Sequence, residues 1–109
     1  MKLVMAIVDD EDSLYLSELL NKKGFFVTKL ASTGGFLRAG ATTLISGVEE
    51  DRVQELIDII EKNCKTRTQV TSMSATHMGV NEGFLPLPMD ITVGGATIFV
   101  LNVEEFKKV

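Results

Sequence analysis

The sequence has 109 residues, of which 45% are hydrophobic and 24% charged, and its formal net charge is −4. This length and composition predict a single globular domain, residues 1–109, and exclude a disordered tail. No apolar run is long enough to cross a bilayer, and the first residues turn acidic too early for a signal peptide. The single cysteine, Cys64, excludes an internal disulfide and favours a cytoplasmic location. The acidic balance argues against non-specific binding to duplex DNA or RNA.

A strand and a helix are predicted first. Residues 3–8 form a continuous apolar run of strand length. The four acids that follow suit the positive N-terminal end of a helix, and either Asp10 or Asp12 can serve as its N-cap. Leucines at helical spacing continue to about Lys23, and Gly24 is a suitable residue to end the helix.

Two strands and a second helix are predicted next. Residues 25–30 alternate, so that Phe26, Thr28 and Leu30 share one face of a strand. Residues 42–48 form the return strand. The most clearly amphipathic helix of the chain follows, with an apolar stripe made of Val53, Leu56, Ile57, Ile60 and Cys64.

The last third of the chain has a different character. Residues 66–88 lack clear periodicity and predict a long loop, with room for a short hairpin, and such loops are usually functional or mobile. The lone His77 in this loop has no companion at metal-ligand spacing, so no metal site is expected. Residues 89–93 and 96–103 predict two strands joined as a hairpin at Gly94-Gly95.

This order of elements predicts an α+β fold of the split β-α-β-β-α-β, or ferredoxin-like, type. The strand at 89–93 would complete an antiparallel sheet, the strand at 96–103 would be an extra C-terminal one, and both helices would cover one face. The other face is also apolar, because residues 3–8 and 98–103 show little alternation. We therefore expect that face to be buried against another subunit.

The stretch from Thr28 to Thr43 contains no acid and is the candidate ligand site. Gly34 and Gly35 allow consecutive backbone N–H groups to point at an anion, and Phe36 offers a flat face for a base. Hydroxyl groups and positive charges that can hold a base or a phosphate are supplied by Thr28, Ser32, Thr33, Lys29 and Arg38. The alternative is an ordinary glycine-rich hairpin loop anchored by a buried Phe36.

One residue of the return strand adds to this interpretation. Gly47 lies inside the predicted strand at 42–48. A glycine within a strand suggests a bulge, or the close approach of another backbone or a ligand.

The motif T-K-L-A-S-T-G-G-F-L-R at residues 28–38 resembles the PII-like cyclic di-AMP receptor family, as do residues 63–67 and 94–100, and the likeness covers nearly the whole chain. The resemblance implies a homotrimer of ferredoxin-like subunits with cyclic di-AMP bound in pockets between neighbouring subunits. Thr28 would then bond an adenine edge. Gly35, Phe36 and Leu37 would hold the ligand by backbone contact and packing, and Gly47 would let it approach the return strand.

Three positions depart from the family pattern as the resemblance gives it. Gly24, Phe26 and Ala41 stand where a polar residue, an arginine and an asparagine are common. The motif itself is intact, and Phe26 could stack on a base in place of the missing side chains.

The leading hypothesis is a non-enzymatic signalling receptor that changes loop conformation when cyclic di-AMP binds and so regulates a partner protein. The alternative is a PII-like sensor of another nucleotide such as ATP or ADP. An enzyme such as a small phosphatase is disfavoured, since the sequence offers no paired base and nucleophile. A structural trimer whose loop merely turns the chain is the fourth possibility.

Overall fold

The computed structural model describes residues 1–30, 40–72 and 88–109. Two helices, a short 3₁₀ turn at Glu50–Arg52 and six strands make up these residues. The helices are α1 (Asp10–Lys22) and α2 (Val53–Asn63). The strands are β1 (Lys2–Asp9), β2 (Thr28–Leu30), β3 (Ala41–Val48), β4 (Arg67–Ser72), β5 (Pro88–Val93) and β6 (Ala96–Asn102).

A four-stranded antiparallel sheet forms the centre of the fold, with strand order β2-β3-β1-β6. Leu3 of β1 lies opposite Gly47 of β3, and Met5 of β1 lies opposite Phe99 of β6. The apolar run of β1 is explained by this central position, because a strand with neighbours on both sides and apolar contacts on both faces shows no alternation. The predicted α+β, ferredoxin-like fold is confirmed.

Both helices pack on the same face of this sheet, as predicted. Leu16 and Leu20 of α1 and Leu56 and Ile60 of α2 are at most 1% exposed. They meet the buried side of the sheet, which consists of Val4, Ala6, Val8, Leu44 and Val48. No helix among the described residues is long and apolar enough to span a membrane.

The last third of the chain corrects the prediction. β4 and β5 form a separate two-stranded antiparallel sheet, in which Arg67 lies opposite Val93. The strand at 89–93 therefore pairs with residues that were predicted as loop, and the proposed hairpin across Gly94-Gly95 is wrong. β6 completes the main sheet instead, so the extra strands are β4 and β5. β6 is partly buried by its pairing with β1. Turn residues next to β6 could not predict this pairing, because β1 lies at the other end of the sequence.

Two boundaries around α1 also differ from the prediction. The N-cap is Asp9, whose carboxylate accepts a hydrogen bond from the Glu11 amide at 3.0 Å, and not Asp10 or Asp12. At the other end, the Phe25 amide donates to the Leu20 carbonyl at 2.9 Å. Since that amide is used to end the helix, β2 begins at Thr28 rather than at residue 25.

Candidate functional site

A cavity of about 540 Å³ lies at one end of the main sheet. Its wall combines the end of β1 at Asp9, the start of β3 at Gly40-Ala41 and the start of β6 at Ala96-Thr97. The Asp10 amide donates to the Gly40 carbonyl at 2.8 Å and so ties two of these strand ends together. The volume is in the range of small-molecule sites in proteins.

The turn Gly94-Gly95 forms part of the cavity wall, and its backbone requires glycine. Both residues have positive φ, +81° and +85°. A Cβ at Gly94 would lie 2.5 Å from the Lys65 carbonyl oxygen and 2.5 Å from an Arg67 guanidinium nitrogen. A Cβ at Gly95 would lie 2.8 Å from the Thr66 hydroxyl oxygen. The glycine pair thus serves the close approach of the chain after α2, not a hairpin.

Hydrogen bonds already engage the amides of this turn. The Gly94 amide donates to the Asp9 carboxylate at 3.2 Å, and the Gly95 amide donates to the Cys64 carbonyl. Asp9 therefore caps α1 and holds Gly94 with one carboxylate. Its negative charge in the cavity wall favours ligand groups that donate hydrogen bonds and disfavours phosphate at that point.

Two predicted ligand residues, Thr28 and Gly47, lie on the sheet face opposite the helices. Thr28 is exposed and lies opposite Ile45, two residues from Gly47 along the same face. Gly47 is near the far end of β3 from Ala41, a separation of roughly 20 Å for six strand residues. Within one chain these two residues therefore lie away from the cavity. The other predicted ligand residues, Gly34, Gly35, Phe36, Leu37 and Arg38, lie outside the described residues.

Gly47 is not required by the packing of its own chain. An added Cβ would have the Met1 sulfur at 3.6 Å as its nearest described neighbour, which is an ordinary van der Waals contact. Its φ is not in the positive region either. Because Gly47 has no side chain, the surface of β3 is open there to a ligand or a neighbouring chain.

The three residues that depart from the family pattern, Gly24, Phe26 and Ala41, lie in different structural environments. Gly24 has φ +87° after α1, a conformation suited to glycine or asparagine at a helix end. The Phe26 ring is 87% exposed. Ala41 lines the cavity, so the absence of a polar side chain there changes the wall directly.

Two groups behind the cavity have shifted pKa values. Burial, followed by the charge of Asp12, raises the pKa of Cys64 to about 11, so the thiol stays protonated. Its thiol is 1% exposed and belongs to the core, as predicted. The hydrogen bond that the Arg67 guanidinium donates to the Asp12 carboxylate raises the pKa of Arg67 above its ordinary value.

The sequence analysis missed most of the cavity wall. Asp9 was interpreted only as one of several acids before a helix, and Gly94-Gly95 as a hairpin turn. The hydroxyl-bearing residues Thr66, Thr92 and Thr97 also line the cavity but come from the connection after α2, from β5 and from β6. Gly94-Gly95 was the sequence feature that could have indicated this part of the cavity wall, but it was wrongly interpreted as a hairpin turn.

Two comparisons with known proteins agree with this structure. A family model described as "Cyclic-di-AMP receptor" matches residues 1–109. Among solved structures, the chain is similar to one described as the crystal structure of a functionally unknown protein from Pediococcus pentosaceus ATCC 25745. The two chains are 41% identical with a TM-score of 0.74, over 99% of this chain and 96% of that one.

Proposed function

Because the chain belongs to the cyclic-di-AMP receptor family, we propose that it is a non-enzymatic, cytoplasmic receptor that binds cyclic di-AMP. The observation that carries this proposal is the cavity of about 540 Å³ at the end of the sheet. Its rim includes Gly40, to which the candidate loop 31–39 leads. A ligand seated there would therefore touch the strand ends beside Gly40.

The wall chemistry suggests how the ligand would be oriented. Cyclic di-AMP presents two adenine amino groups and two phosphate diesters. Asp9 can accept from an amino group and repels phosphate, so we expect an adenine at that side. The amides of Gly94 and Gly95 are already engaged, so we expect phosphate to meet the hydroxyls of Thr66, Thr92 or Thr97 in the cavity wall and, as the sequence motif predicts, the amides of Gly34 and Gly35.

Subunit association is part of the proposal. The sheet face away from the helices presents exposed apolar side chains, among them Leu30, Phe99 and Leu101, which are 38–46% exposed. Contiguous apolar surface of this kind usually marks an interface. The family resemblance implies a homotrimer, in which Thr28, Gly47 and Phe26 of one subunit would face the neighbour and its ligand.

The proposed output is regulation of a partner protein. A bound ligand would link Gly40, which follows the loop 31–39, to the turn Gly94-Gly95, which follows β5. Changes in these two segments would alter the surface that the partner meets.

Thermal unfolding with a nucleotide panel tests the ligand. Cyclic di-AMP, cyclic di-GMP, ATP, ADP and AMP are each added at saturating concentration. A ligand that binds only the folded state adds RT ln(1 + [L]/Kd), or about 2.7 kcal/mol at a hundredfold excess over Kd. We expect a shift with cyclic di-AMP alone. A shift only with ATP or ADP would support the alternative sensor, and no shift with any nucleotide would overturn the receptor proposal.

Light scattering on a sizing column tests the assembly. We expect the wild-type chain to elute as a trimer, and Phe99→Glu to dissociate it because the new charge would be buried between subunits. Tyr15→Glu is the matched control, since Tyr15 is 60% exposed on α1, in the helical layer. A monomeric wild-type chain, or dissociation by both variants, would contradict the proposed interface.

A further inference from the structure

The ion pair between Arg67 and Asp12 joins the β4–β5 sheet to α1, which packs on the main sheet. Arg67 begins β4, and Asp12 lies in the first turn of α1. One guanidinium nitrogen donates to a carboxylate oxygen of Asp12 at 2.8 Å, and another donates to the second oxygen at 3.3 Å. The Asp12 side chain is only 12% exposed. The Arg67 side chain is 38% exposed, and the paired geometry of the contact fixes orientation as well as distance.

The same guanidinium also supports the cavity wall. Its second nitrogen donates to the Lys65 carbonyl at 3.2 Å, and it lies where a Cβ of Gly94 would be. Gly94 in turn donates to Asp9, the residue that caps α1. Arg67 is therefore packed directly behind a turn that the ligand would touch.

The base of the β4–β5 sheet is where these contacts converge. The pairing of Arg67 with Val93 places the start of β4 beside the end of β5, directly before Gly94. β4 and β5 pair with each other, whereas the main sheet consists of β2, β3, β1 and β6. The orientation of the smaller sheet thus depends on contacts at this base.

We propose that Arg67 and Asp12 are positioning residues, whose ion pair holds the Gly94 turn in place and couples occupation of the cavity to the orientation of the β4–β5 sheet. This inference rests on the proposed binding of cyclic di-AMP. It assigns the route by which the ligand acts on β4 and β5. A ligand in contact with Gly94 would act on the neighbouring Arg67 guanidinium, and without the ion pair the turn would remain attached to α1 only through the bond from the Gly94 amide to Asp9.

Hydrogen exchange on the unliganded protein tests the positioning role by itself. We expect Asp12→Asn to speed exchange of the amides of β4, β5 and Gly94 by roughly tenfold, since a charged hydrogen-bond partner is lost. Amides of β1 and β3 should keep their wild-type rates. Asp58→Asn is the matched control, because the bond that Asp58 accepts from Gln54 at 2.9 Å is exposed and lies on α2, in the helical layer. Unchanged exchange in β4–β5 would overturn the proposal.

Calorimetry and exchange with cyclic di-AMP test the coupling. We expect wild type to gain protection in β4–β5 on binding, and Asp12→Asn to bind roughly tenfold more weakly and to gain no such protection even at saturation. Arg67→Lys, which keeps the charge but loses the paired geometry, should fall between the two.

The two proposals fail in different ways. If wild type does not bind cyclic di-AMP, the receptor proposal and the coupling both fall, while the unliganded exchange still decides the positioning role. If wild type binds and Asp12→Asn gains the same protection at saturation, only the coupling is overturned.

Discussion

The Ser46 hydroxyl donates to the Phe26 carbonyl at 2.8 Å, and this bond fixes the backbone of a residue whose ring is 87% exposed. Extending the pairing of Thr28 with Ile45 by two residues brings Phe26 opposite Gly47. Continued in this way, the register of β2 and β3 would place a flat apolar ring next to a strand position that has no side chain. Such a pair suits a stacked base or a neighbouring chain.

Phe26→Ala tests whether that ring stacks on the ligand. Stacking of a base on an aromatic side chain contributes about 1–3 kcal/mol, so we expect cyclic di-AMP affinity to fall by roughly 5- to 150-fold in calorimetry. The melting temperature of the unliganded protein should change little, because the ring is exposed. Tyr15→Ala, which removes another exposed ring, is the control. Unchanged affinity in Phe26→Ala would place the ring outside the site.

Gly47→Val tests the open strand surface. Valine suits a strand, and the nearest described neighbour of a Cβ there is the Met1 sulfur at 3.6 Å. We expect the unfolding free energy to stay within about 0.5 kcal/mol of wild type. Ligand affinity should fall at least roughly tenfold, because the branched side chain fills the approach to β3. A marked loss of stability with unchanged affinity would assign Gly47 to the fold and not to the site.

Gly94→Ala tests the close approach behind the cavity. The positive φ alone costs about 1–2 kcal/mol for alanine, and Gly94 adds two contacts at 2.5 Å. Gly40→Ala is the matched control, since Gly40 has φ +89° but a Cβ there meets no described atom within 4 Å. In urea unfolding we expect Gly94→Ala to lose at least about 1 kcal/mol more than Gly40→Ala. Equal losses would show that the turn can relax away from Arg67.

The raised pKa of Cys64 predicts a pH dependence of stability. The folded chain holds the thiol proton up to about pH 11, whereas the unfolded thiol releases it near its ordinary value of 9.0. The stabilisation is therefore complete below pH 9 and is lost as the pH rises to 11, by roughly 1–2 kcal/mol. Urea unfolding at pH 8 and pH 10.5 measures it. Cys64→Ala should lack this part of the pH dependence. If the free energy of unfolding falls equally in both proteins between these two pH values, other titrating groups are responsible.

The core and the outer surface of the helices should respond differently to the loss of leucine. Leu56 is 1% exposed between α2 and the sheet, so Leu56→Ala should cost about 2–5 kcal/mol in urea unfolding. Leu14 is 70% exposed on α1, and Leu14→Ala should stay within about 0.5 kcal/mol of wild type. A large effect at Leu14 would reveal that this surface is buried in the assembly.

Local patterns predicted much of the fold. The apolar run of β1 and the stripe from Val53 to Cys64 identified a strand and a helix, because side-chain periodicity follows directly from backbone geometry. Gly24 was correctly predicted to end α1, since a positive φ there suits glycine. The motif at residues 28–38 was sufficient to indicate the family. These features depend on neighbours within a few residues.

The pairing of strands and the cavity wall were decided by tertiary structure. Gly94-Gly95 looked like a hairpin turn, but its glycines serve contacts with Lys65, Thr66 and Arg67, nearly 30 residues earlier. Asp9 caps α1 through the nearby Glu11 amide, but its bond to the turn in the cavity wall exists only because Gly94 folds back onto it. The sequence by itself determined both helices, the strands of the main sheet and the family, because local periodicity and the motif carry this information. Contacts between distant segments decided which strands pair and which residues form the cavity wall. The spacing of residues within a short stretch of sequence does not indicate such contacts.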